Sequence, residues 1–167
     1  MTETNLEYQK CFYDKFIKLF EELINTCLTN VNNEETKTLL EKIKETFTKL
    51  KYDKIINKVK NNEKFLEIIT YLKNEKYTNE ALEQIYNKTE NKYWQLIPLL
   101  NMYEILTNID VNNRNLIYEL IYKLYISANA YTKLQTLIDT EKENNQEKNP
   151  FEMVNDINDV DIQDRKS

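Results

Sequence analysis

Apolar residues recur every three or four positions along most of this chain, which is the spacing of amphipathic helices. The first predicted helix covers residues 5–30 and carries two neighbouring apolar stripes. Together the stripes cover about half of its circumference, which is more than a helix with one buried face needs. We therefore expect this helix to lie at the centre of the fold.

A second predicted helix covers residues 33–51, after a polar stretch in which Asn32 and Glu35 resemble a capping box. Between residues 48 and 64 the apolar stripe then changes face, which one straight helix does not allow. The pattern therefore predicts a break near Tyr52, where Asp53 caps a short helix over residues 54–60.

The rest of the apolar pattern predicts further helices and no strand. They cover residues 63–76 after an Asn62 cap, a segment capped by Thr78 or Asn79, residues 91–107, and residues 113–142. Pro98 is expected to kink the helix over residues 91–107 or to restart it. The helix over residues 113–142 has the clearest periodicity, and we expect the other helices to form a bundle around it and the first helix.

The apolar pattern fails near residue 143, and residues 141–167 contain eight acidic and four basic side chains. This composition is typical of a disordered segment. The sequence therefore predicts one all-α domain over residues 1–142, an irregular bundle of six or seven helices. A flexible acidic tail over residues 143–167 would follow it.

Composition excludes many kinds of active site. The chain has no glycine and no histidine, so glycine-rich phosphate loops, dinucleotide-binding motifs, histidine triads and histidine zinc sites are ruled out. Cys11 and Cys27 are 16 positions apart on one predicted helix, about 24 Å, and cannot pair there. We therefore expect a protein that is not an enzyme, with no cofactor, no metal and no catalytic residues.

The chain shows no run of about 18 apolar residues and no apolar N-terminal signal segment. These features predict an intracellular protein without a membrane span. The net charge is −5, yet residues 42–64 contain eight lysines and three acidic residues. Clustered cations of this kind can bind phosphates, and the candidate nucleic-acid contacts are Lys51, Lys54, Lys58 and Lys60. The alternative is an ordinary solvated helix face.

Three tyrosines, Tyr118, Tyr122 and Tyr125, form a row on the last predicted helix, about 100–160° from the centre of its apolar stripe. Tyrosine is enriched at protein interfaces, and it also commonly borders a core with its hydroxyl in water. The row is therefore the candidate partner-binding site. In the tail, apolar residues at three-residue intervals among acids suggest a short docking segment: Phe151, Val154, Ile157 and Val160.

The segment TENKYWQLIPLLNMYEIL (89–106), preceded by FIKLFEELI (16–24) and NNEKFL (61–66), resembles uncharacterised all-helical proteins of nucleocytoplasmic large DNA viruses. In those proteins a tryptophan-led helix follows a helix rich in Phe and Leu. Here Trp94, Ile97, Leu100 and Tyr103 would hold that pattern. The resemblance implies an all-α fold and a viral setting, either host cytoplasm or virion, and no active site.

Together these observations favour a non-catalytic protein that binds a protein partner or itself, as a viral structural or host-modulating protein. The alternative is a nucleic-acid-associated protein that uses the basic segment over residues 42–64.

Overall fold

The computed structural model describes residues 2–47 and 51–147, and most of them are helical. The α-helices in these ranges are α1 (Thr2–Asn30), α2 (Glu34–Phe47), α3 (Tyr52–Asn61), α4 (Glu63–Asn74), α5 (Asn79–Asn87), α6 (Met102–Thr107) and α7 (Arg114–Glu147). The prediction of an irregular all-α bundle is confirmed.

The two longest helices, α1 and α7, pack against each other more extensively than any other two elements. They run antiparallel, since Gln9 bonds to Gln135 and Asn5 bonds to Glu141 across the pair. Residues of α1 such as Phe16, Leu23 and Cys27 are fully buried, because α1 faces several other helices. The two apolar stripes of the first helix correctly predicted its central place.

Asparagine and threonine side chains begin several of the helices. Asn62 accepts a hydrogen bond from the Phe65 amide at the start of α4, and Thr78 accepts one from the Ala81 amide at the start of α5. Both predicted caps are confirmed. The prediction that Asn32 caps α2 is wrong. Instead, the side-chain oxygen of Asn33 accepts hydrogen bonds from the backbone amides of Glu35 and Thr36.

The break between α2 and α3 also lies slightly earlier than predicted. Helix α3 begins at Tyr52, its N-cap is Lys51 without a side-chain bond, and Asp53 lies in the first turn. The capping role predicted for Asp53 is therefore wrong. The helix begins earlier because the ring of Tyr52 is buried against Tyr13, Phe16 and Phe20 of α1.

Residues 91–107 do not form the single helix that their apolar spacing predicted. A 3₁₀ turn (Asn91–Trp94) leads into a two-stranded hairpin, β1 (Gln95–Ile97) and β2 (Leu100–Asn101), and only then does α6 begin. Pro98 and Leu99 form the hairpin turn, where Leu99 has φ 78°. Proline followed by a residue of positive φ is the type II arrangement, so proline here makes a turn and does not begin a helix.

Trp94, directly before the hairpin, lies in the hydrophobic core. Trp94 is fully buried, and its Nε1 donates to the Thr89 hydroxyl over 2.9 Å. Phe65, Tyr86 and Tyr103 surround the indole ring edge to face. The four residues that carry the viral resemblance therefore lie on a 3₁₀ turn, two strands and α6, not on one tryptophan-led helix.

The last helix is longer than predicted, since α7 continues to Glu147 and not to residue 142. The predicted boundary between domain and tail, after residue 142, stays a prediction. Residues 148–167, the remainder of the predicted acidic tail, lie outside the described residues. Within the described ranges, no helix has the length and apolar character that crossing a membrane requires.

Candidate interaction surfaces

The predicted tyrosine row does not form one exposed surface. Tyr118 and Tyr125 are buried, with 8% and 2% of their surface exposed, and only Tyr122 is open to solvent at 47%. Tyr118 lies between the rings of Tyr77 and Tyr122. The row therefore belongs mostly to the core, and the reading of all three tyrosines as a contact surface needs correction.

Tyr125 is buried because its hydroxyl has a specific partner on another helix. The hydroxyl donates to the backbone carbonyl of Asn62, at the junction of α3 and α4. Burial, with the Glu63 carboxylate nearby, raises the pKa of Tyr125 above its ordinary value, so the hydroxyl remains a donor at neutral pH. Such a contact joins residues 63 positions apart, and the helical spacing of the sequence gives no sign of it.

The four candidate lysines do not share one environment. Lys51, Lys54 and Lys58 are exposed on the outer side of α3, whereas Lys60 is half-buried. Lys60 lines a groove between α4 and α7 together with Glu63 and Glu67. Within the part of the chain that the structure describes, none of the four makes an ion pair. The structure therefore brings three of the predicted cations together and separates the fourth.

That groove, of about 600 Å³, is open and lined by side chains of mixed character. Tyr71 and Leu66 form part of its wall, and Tyr125 closes its base. Glu63 and Glu67 are exposed and one turn apart on α4. Among the described residues, no group of three or more carboxylate, cysteine or histidine side chains is placed to hold a metal ion.

A second cavity, of about 630 Å³, is lined mainly by asparagine and threonine and has Arg114 at its base. Arg114 is only 3% exposed. Its Nε donates to the carbonyls of Leu106 and Ile109, Nη1 to the Tyr77 carbonyl at 2.6 Å, and Nη2 to Asn79 Oδ1 at 2.7 Å. These bonds connect two loops to the start of α7, so we assign Arg114 a structural role.

An uncovered apolar surface that the sequence pattern did not predict lies along α1 and α7, partly where these two helices extend past the other helices. The core cluster follows α1 from Tyr13 onward and α7 from Ile117 to Tyr131. Residues 2–12 and 132–147 therefore form a two-helix extension. Ile138 is buried there, but it does not belong to the core cluster. The extension contributes little to the core.

Apolar side chains remain uncovered along one side of the two helices. We call this surface the apolar band: Tyr8 and Phe12 of α1 with Ile126, Ala130, Leu134 and Leu137 of α7. Tyr8, Ile126 and Leu137 are 57%, 52% and 47% exposed, and the other three are half-buried. The α7 members follow a spacing of four, four and three residues, which keeps them on one face. Tyr122 lies one turn before Ile126 and extends the band.

The band faces away from α3. The ring of Tyr13 contacts Tyr52 of α3 at 6.3 Å and Tyr131 of α7 at 5.8 Å, which defines the covered side. Tyr8 lies about 140° around α1 from Tyr13, and Leu137 lies about 120° around α7 from Tyr131. The Gln9–Gln135 and Asn5–Glu141 bonds place Tyr8 and Leu137 at about the same level of the antiparallel pair, each more than 100° around its helix from the tyrosine on the covered side.

The two cysteines lie in different environments on α1. Cys11 is exposed beside the band, and Cys27 is buried in the core. Burial raises the pKa of the Cys27 thiol to about 12, so at neutral pH it is almost entirely protonated and unreactive. Cys11 is therefore the reactive thiol of the folded chain and a natural position for a chemical probe near the band.

Comparisons with known proteins give no family for this chain: no protein-family model matches it, and no curated protein or solved structure matches it.

Proposed function

We propose that the chain is a non-catalytic protein-binding domain and that its partner docks on the apolar band. One observation supports the proposal above all: α1 and α7 extend past the core and leave large apolar side chains uncovered. Helices normally bury their apolar stripe against another element. A contiguous exposed apolar surface is typical of an interaction site.

The extension itself gives a physical reason for a partner. Two helices with one buried isoleucine and a polar Gln9–Gln135 contact gain little stability from each other. A third element laid along the band would bury Tyr8, Leu137 and Ile126 together. Burying one leucine fully contributes about 2 kcal/mol, which corresponds to roughly a thirtyfold change in affinity.

The test is affinity capture with the full chain and single glutamate substitutions. Leu137→Glu, in the band, is expected to lower partner retention at least tenfold, since it places a charge in an apolar contact. The matched control is Leu6→Glu, at a residue that is also on the extension and 45% exposed but lies about 160° around α1 from Tyr8. Both sites are exposed, so both variants should fold, which circular dichroism checks. Equal retention by the two variants would contradict the proposal.

A second candidate function is nucleic-acid binding through the outer side of α3. It is favoured by the exposed ammonium groups of Lys51, Lys54 and Lys58, which make no ion pair with any residue that the structure describes. The exposed carboxylate of Asp53 lies on the same short helix and weakens the local potential. If this function holds, the double substitution Lys54→Gln with Lys58→Gln should weaken binding to mixed DNA. It should also make the binding affinity less dependent on salt concentration. If the double substitution left the dependence of affinity on salt concentration unchanged, nucleic-acid binding through α3 would be excluded.

A further inference from the structure

The charges beside the apolar band indicate which kind of partner it fits. Lys15 of α1 and Lys133 of α7 are exposed and lie next to its middle. Neither makes an ion pair within the described residues. A symmetric dimer through this surface would use the same patch twice and bring four lysines together, which like-charge repulsion opposes. The band therefore favours an acidic apolar segment over a second copy of itself.

The chain contains such a segment. Residues 151–161, FEMVNDINDVD, carry four acidic side chains and no basic one. Their apolar residues Phe151, Val154, Ile157 and Val160 recur every three positions. These residues lie outside the described ranges. Apolar side chains among carboxylates are the chemistry that a lysine-flanked apolar band would bind.

The connection along the chain is short enough for this contact. Leu137 lies about 15 Å before Glu147 along α7, and Ile126 lies about 32 Å before it. From Glu147, an extended chain covers up to about 14 Å by Phe151 and up to about 45 Å by Val160. By Val154 the extended chain covers up to about 25 Å and reaches past Leu137, so residues 154–160 can run back along α7 from Leu137 to Ile126. A tether of this length also gives a high effective concentration, in the millimolar range.

We propose that residues 151–161 bind the apolar band of their own chain, with apolar side chains between α1 and α7 and carboxylates beside Lys15 and Lys133. The contact covers the extension until a partner displaces the segment. The inference rests on the same band as the proposed function, and it adds a competing internal ligand that limits partner binding.

Paramagnetic relaxation measured by NMR on the full chain tests the contact. A spin label on Cys11, which lies beside Phe12, would react selectively because Cys27 is buried. Amide signals of residues 151–161 are expected to broaden, and Leu137→Glu should restore them whereas Leu6→Glu should not. A mixture of isotope-labelled chains without the spin label and spin-labelled chains without isotope should show no broadening. Broadening in the mixture would show exchange between copies and overturn binding within one chain.

A charge-reversal variant provides a second test, which does not require a spin label on Cys11. Asp156→Lys with Asp159→Lys should release the segment and increase both hydrophobic-dye binding and partner retention. Unbroadened amide signals in the wild type, or dye binding unchanged by the reversal, would overturn the inference. If capture still depended on Leu137 in that case, the proposed function would stand without the internal ligand.

Discussion

At the residue scale, Arg114 is the clearest case of one side chain that holds several segments. It is one of two arginines in a chain with 23 basic residues. Its guanidinium donates hydrogen bonds to three backbone carbonyls and to the side-chain amide oxygen of Asn79. Lysine could not replace it, because an ammonium concentrates its donors on a single atom. One of the carbonyls belongs to Tyr77, which has φ 58° next to Lys76 at φ 57°. Arg114 therefore also stabilises a turn with strained backbone.

Substitution of Arg114 should be strongly destabilising. Arg114→Met leaves buried carbonyls without donors, and we expect the free energy of unfolding to fall by about 3 kcal/mol. Arg114→Lys should recover only part of this loss. Urea unfolding followed by circular dichroism measures both. The control is Lys123→Met on the exposed side of the same helix, where the change should stay within about 0.5 kcal/mol. A loss at Arg114 no larger than that of the control would refute the assignment.

At the element scale, the hairpin over residues 95–101 shows where helical spacing misleads. Ile97, Leu100 and Ile105 are spaced like residues on a helix face, and all three are buried. They are buried because a Pro98–Leu99 turn folds the chain back on itself. The local sequence feature that indicates this turn is Pro98, because proline suits the first of the two central positions of a type II turn. The second position usually needs glycine, and this chain has none.

Leu99→Gly should therefore stabilise the protein. Leu99 has φ 78° and is 65% exposed, so glycine relieves backbone strain and loses little buried surface. We expect the free energy of unfolding to rise by about 0.5–1 kcal/mol in urea titrations. The same change at Leu116, which is 48% exposed within α7, should instead lower it by about 1 kcal/mol. A destabilising effect of Leu99→Gly would mean that the turn is not strained.

At the scale of the whole molecule, buried tyrosines couple stability to alkaline pH. Burial is the main cause that raises the pKa of Tyr52 to about 12, from an ordinary value of 10. Between these values the unfolded chain loses the proton first, so the folded state becomes less stable as pH rises. Each unit by which the pKa differs between the folded and unfolded states corresponds to about 1.4 kcal/mol in the free energy of unfolding. The contribution of Tyr52 is fully present below pH 10 and is lost towards pH 12.

Tyr52→Phe should accordingly flatten the decline in stability between pH 10 and 12. Midpoints of urea unfolding at a series of pH values measure the slope. Tyr122→Phe, at an exposed tyrosine of α7, serves as the matched control and should keep the wild-type profile. If both variants gave the wild-type slope, titration of Tyr52 would not account for the alkaline loss.

The all-α class, the central first helix, the cap at Asn62 and a cap at either Thr78 or Asn79 followed from the sequence alone. Helical periodicity and capping are local properties, set by residues three or four positions apart. The burial of Tyr118 and Tyr125, the fourfold contact of Arg114 and the uncovered apolar band were decided only by the tertiary structure. A sequence pattern states that a face is apolar, but which face is covered depends on the distant helix that packs there. In this chain α3 packs against both α1 and α7, whereas Tyr8, Ile126 and Leu137 of the same two helices remain exposed.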